Sequence, residues 1–154
     1  VVTEEATVIV DATATIDPVC GFDTYIAPFC PVSRSVVGAA YQPFERGYMV
    51  WREDTRQIYV LYLTGRYQIF DDTWSGQGID IETPPDGLIT PQRGFGWLWA
   101  NNDTIRQNVG WANGQEVSYT SAFEQTSEGN AYFTFPNGGL IGTSQGGRWL
   151  SPQP

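Results

Sequence analysis

One aromatic β pattern is written twice along this chain, and the copies stand 79 residues apart, the separation of Phe44 and Phe123. The first copy contains Tyr41, Phe44-Glu45, Gly47, Trp51, Ile58 to Tyr62 and Gly65-Arg66-Tyr67. The second contains Tyr119, Phe123-Glu124, Gly129, Phe135, Leu140 to Thr143 and Gly147-Arg148-Trp149. The spacing predicts an internal duplication of a three-stranded unit whose last strand opens on a Gly-Arg-aromatic turn. Two such units cannot each bury their own apolar face, so they have to pack together.

Within the first copy, Gly47 to Arg52, Gln57 to Leu63 and Arg66 to Phe70 read as strands rich in β formers. Glu53-Asp54-Thr55-Arg56 and Thr64-Gly65 are the turns between them, and Asn113-Gly114 and Asn137-Gly138 read as turns further on. The stretch Gly94-Phe95-Gly96-Trp97-Leu98-Trp99 is expected to be a short strand or turn, with Trp97 and Trp99 on one face. One short helix is expected near residues 102–110, because Asn102 or Asp103 can cap it, Ile105 and Val109 share a face, and Gly110 stops it. The fold class is therefore all-β: antiparallel meanders packed as a sandwich or small barrel, with that one helix. A single β domain is expected over 36–154, built from meanders at about 41–74 and 119–150.

Two shorter regions precede it. Residues 1–19 form an extension in which Val8, Val10, Ala12, Ala14 and Ile16 alternate with Thr7, Asp11, Thr13, Thr15 and Asp17, broken only by Ile9. Period two over that length means an amphipathic strand, and its apolar side has to be buried, either in its own sheet or in that of a neighbouring subunit. Residues 20–35 carry the two cysteines, Cys20 and Cys30. A disulfide between them would close a short loop, contribute about 2–3 kcal/mol, and imply an oxidising compartment. The chain is expected to be secreted or cell-surface, its signal peptide already removed. It has no apolar run near 18 residues, so membrane insertion is not expected.

Composition narrows the chemistry. With no histidine and no lysine, the chain lacks an imidazole base, a His-ligated zinc, a Schiff-base amine and a P-loop. Its eight cations are all arginine against 17 acids, a net charge of −9, which argues against nucleic acid as a partner. Asp71, Asp72, Asp80, Glu82 and Asp86 gather around a Gly/Pro-rich loop. Asp71, Asp72 and Asp80 are the residues that could hold Ca²⁺, although the spacing is not that of an EF-hand. Otherwise no cofactor is expected. A glycosidase needs two carboxylates facing across a cleft, and scattered loop acids do not announce one. Neither Gly76-Gln77-Gly78 nor Gly94-Phe95-Gly96 follows a βα unit, so neither is a nucleotide fingerprint. Six tryptophans remain as the strongest binding material, Trp97 and Trp99 being the expected flat platform for a glycan.

The run from Phe44 to Thr55, followed by Ile58-Tyr59-Val60-Leu61-Tyr62, resembles uncharacterised extracytoplasmic modules of Chloroflexi-type bacteria. Arg93-Gly94-Phe95-Gly96 and Val109-Gly110-Trp111-Ala112 fit the same pattern. More distantly, an aromatic strand pair with a short helix ending in Gly is similar to the LGFP repeats of cell-wall-associated proteins. The resemblance covers roughly Tyr41 to Trp149. Phe135 stands where Trp is expected, and Gly142-Thr143 replaces an aromatic end. It implies a bacterial surface or secreted setting and carries no catalytic residues. Two functions follow as expectations: a non-enzymatic structural subunit that self-assembles into a filament through its N-terminal strand, or a module that binds polysaccharide through exposed aromatics.

Overall fold

The computed structural model describes residues 31–144 and 146–151. Cys20, Cys30 and the expected donor strand, Val8 to Ile16, lie outside the described residues. Eight antiparallel strands form one sheet: β1 (Ser33–Phe44), β2 (Gly47–Arg52), β3 (Gln57–Tyr62), β4 (Tyr67–Asp71), β5 (Val117–Gln125), β6 (Ala131–Thr134), β7 (Leu140–Ser144) and β8 (Arg148–Leu150). Their spatial order, β4-β3-β2-β1-β5-β6-β7-β8, makes two meanders joined back to back along β1 and β5. Each meander has four strands rather than the expected three, because β1 and β5 belong to the units they precede. The sheet curls into a nearly closed barrel, and its two edges meet where Arg66 bridges Arg148.

Rings from both halves fill the inside. Tyr41 and Tyr48 of the first half lie 5.0 and 5.1 Å from Phe135 of the second, and Phe123 stacks on Phe133 at 4.8 Å. Tyr119 donates its hydroxyl to the Thr134 carbonyl at 2.7 Å, and burial pushes its pKa up. Arg52, 3% exposed, ends this interior, its guanidinium 4.2 Å from the Phe123 ring centre and held in a two-pronged pair by Asp54 at 2.8 and 2.7 Å. That pair lowers the Asp54 pKa.

Outside β2 and β3 sits a second apolar layer, which corrects the sequence reading. Gly94 to Trp99 is neither strand nor turn: it belongs to a helix, α1 (Arg93–Ala100), followed by α2 (Asp103–Val109), so there are two helices, not one. The alternation of Phe95, Trp97 and Trp99 imitates a strand, but Phe95 and Trp99 are spaced i,i+4 and both are buried. Gly96 permits this packing, since a Cβ there would overlap the Pro91 carbonyl. The second helix is capped as expected, Asn102 Oδ1 accepting from Ile105 N at 3.1 Å and Gly110 ending it at φ 77°. Phe95, Trp99, Ile105 and Val109 pack with Met49, Ile58 and Val60. Among the described residues no helix is long and apolar enough to cross a membrane.

Candidate functional site

Where α1 meets the outer face of the sheet, a pocket of about 330 Å³ opens. Its floor follows from register: Ser118, Ala40 and Trp51 are direct cross-strand partners on β5, β1 and β2. Cross-strand partners share a face, so two small side chains beside one indole leave a hollow. Trp74, just beyond β4, lines it too, held by its indole N–H donating to the Gln77 carbonyl at 2.7 Å.

Two arginine–carboxylate pairs complete the lining: Arg93 with Glu116 at 3.2 Å, and Arg56 with Asp72 at 3.7 Å. Asp72, its side chain 7% exposed, also accepts from Trp74 N at 3.1 Å. Its carboxylate lies beside the first turn of α1, where a Cβ on Gly94 would come within 2.7 Å of Oδ1, and negative charge there favours the helix dipole. The Arg56 guanidinium lies 6.0 Å from the Trp51 ring centre.

Two further features single out this hollow. Among the described residues only Arg56 (φ 55°) and Arg93 (φ 56°) are non-glycine residues with positive φ, and both line it. Such backbone costs about 1–3 kcal/mol each and concentrates at functional sites. The Trp51 indole N–H is buried without an acceptor among the described residues, which costs about 1–3 kcal/mol.

The structure separates the expected platform. Trp99 is fully buried and donates its indole N–H to the Gly110 carbonyl at 2.8 Å, while Trp97 is half-buried on a different side of the helix. Residues two apart on a helix are about 200° apart, so Trp97 and Trp99 make no flat patch. Asp71 and Asp80 are exposed and Asp72 faces the pocket; among the described residues no three His, Cys, Asp or Glu side chains come together as a metal site. Sequence reasoning places Arg56 only in a turn and does not mark Glu116, because the Arg56–Asp72 and Arg93–Glu116 pairs need register and the fold of the 72–92 loop. The signal that was available is the i,i+4 pair Phe95/Trp99, which marks α1. No protein-family model, curated protein or solved structure matches the chain.

Proposed function

We propose that this domain is a non-enzymatic glycan-binding module of a secreted or surface-exposed bacterial protein, and that its ligand sits in the Trp51–Trp74 pocket. The observation that carries this reading is the combination of two indoles with two arginine–carboxylate pairs in one hollow. Ligand sites are mostly apolar and aromatic with a few fixed polar groups, and run from about 300 to 1,000 Å³. A hollow at the small end of that range suits one sugar ring, its C–H face on an indole and its hydroxyls between guanidinium and carboxylate groups. Each carboxylate is engaged by a guanidinium, an arrangement suited to fixing hydroxyls. The test is affinity electrophoresis and pull-down on a panel of cell-wall and plant polysaccharides. Trp74→Ala and Arg93→Gln are expected to weaken retention about tenfold with the melting temperature nearly unchanged, and the polysaccharide is recovered intact. Full retention by both variants would remove the pocket from consideration.

A second reading, assembly by strand donation, draws on the sheet edge. Beyond the Arg66–Arg148 bridge, no described backbone group pairs with the outer edge of β4, which leaves a template for an added strand. Val8, Val10, Ala12, Ala14 and Ile16 would supply it. Electron microscopy of the chain with and without residues 1–17 tests this: fibres only in the longer form support donation, and the same particles in both discard it.

A further inference from the structure

We propose that Arg66 and Arg148 form a binding site for a tetrahedral oxyanion, phosphate or sulfate, at the seam where the barrel closes. The two arginines are direct partners in the isolated bridge between the sheet edges. The hydrogen bonds flanking them, Tyr67 N to Gly147 O at 2.8 Å and Trp149 N to Gly65 O at 2.9 Å, make this the non-hydrogen-bonded kind of antiparallel pair, in which side chains stand closest. Like charges in that position repel.

The guanidinium groups cross over reciprocally. Arg148 Nη2 lies 3.2 Å from where a Cβ on Gly65 would be, and Arg66 Nη2 lies 3.7 Å from the same point on Gly147. Glycine is required at both places, since φ is +92° at Gly65 and +75° at Gly147. The seam is held stiff by Trp149, whose indole donates to the Tyr62 carbonyl at 2.7 Å, the same oxygen that accepts from Gly65 N at 2.9 Å.

Elsewhere the chain neutralises its cations. Arg34, Arg52, Arg56, Arg93 and Arg106 each reach a carboxylate, and Arg46 donates to the carbonyls of Gln107 and Asn108 at the end of α2. Among the described residues no carboxylate stands within ion-pair distance of Arg66 or Arg148, although 12 of those residues are acidic. Both arginines are exposed, and Arg66, without Arg148, borders a cavity of about 560 Å³ whose lining includes Arg46, Thr64, Gln68 and Thr104 and has no acidic member. Two planar forks ask for more oxygens than one carboxylate offers; a tetrahedral oxyanion supplies them and relieves the repulsion.

This seam lies at the opposite end of the meander from the β2–β3 turn that carries Arg56, so it stands or falls separately from glycan binding. The experiment follows the arginine Nε–Hε resonances of the whole chain at constant ionic strength while inorganic phosphate, inorganic sulfate or galacturonate is added. Phosphate and sulfate are expected to shift Arg66 and Arg148 saturably, leave Arg56 and Arg93 in place, and raise the melting temperature. Arg66→Gln and Arg148→Gln should each weaken this by about tenfold or more. Without anion, either variant should be no less stable than the parent, whereas a purely structural arginine would lower the melting temperature in every buffer. Absence of a saturable shift, undiminished binding by both variants, or an equal response to galacturonate would overturn the proposal.

Discussion

Strands β1–β4 and β5–β8 follow the same up-and-down path but end in different environments. Both halves turn rings into the barrel, where Tyr59 meets Phe123 and Phe133. Only the first half is covered on its outer face by α1 and α2, so β3 is almost continuously buried. On β5 the outward Ser118 and Thr120 remain exposed. The outer face of the second half is open along Ser118 and Thr120 but closed at the far end of β5, where Glu124 and its cross-strand partner Tyr132 on β6 are 0% and 2% exposed. The pocket forms at the boundary between the two halves, where the helical layer stops and β5 begins.

The largest test of this difference is Trp99→Ala, which removes the indole that locks both helices onto β2 and β3. A loss of about 3–5 kcal/mol in urea unfolding is expected; a loss below 1 kcal/mol would make the helices an accessory to the barrel. Next, Gly96→Ala pushes a methyl against the Pro91 carbonyl and should cost about 1–3 kcal/mol, with wild-type stability refuting the close packing of α1.

High pH probes the shared interior. The Tyr119 pKa is raised from its ordinary value of 10.0 by burial, as are those of Tyr59 and Tyr41. Above pH 10 the unfolded chain therefore gives up protons that the folded chain keeps. Stability is complete below that pH and falls as pH rises through the window, by up to about 1.4 kcal/mol per pH unit for each such tyrosine. Tyr119→Phe should make the fall shallower, and an unchanged alkaline slope would place this ring outside the effect. Asn102→Ala, which removes the cap of α2, is expected to cost about 1 kcal/mol by thermal unfolding. Smallest of all, Thr120→Ala on the exposed stretch of β5 should change stability by less than about 0.5 kcal/mol; a larger loss would mean that Thr120 is packed against a further part of the molecule.

Local chemistry was legible wherever it acted alone. Glu53 to Arg56 is a polar turn between two β-rich runs, and β2 and β3 begin where the residues indicate. Asn102 and Gly110 bracket α2 because a cap needs only its neighbours. Period two misled at α1, since a glycine placed for close packing between aromatic residues mimics strand alternation. The candidate site was legible only as parts: Trp51 and Asp72 stand out as residues and Trp74 as one of six tryptophans, but none of them as neighbours.

By itself the sequence determined that this chain builds antiparallel β-meanders, carries paired Gly-Arg-aromatic turns, and has neither imidazole nor amine chemistry, because these depend on residue type and short spacing. Only the tertiary structure decided that the two turns meet at one seam, that Ser118, Ala40 and Trp51 line up across three strands, and that Arg93 reaches Glu116. Those are contacts between residues far apart in the chain, fixed by strand register and by the burial of two apolar layers, neither of which any local pattern encodes.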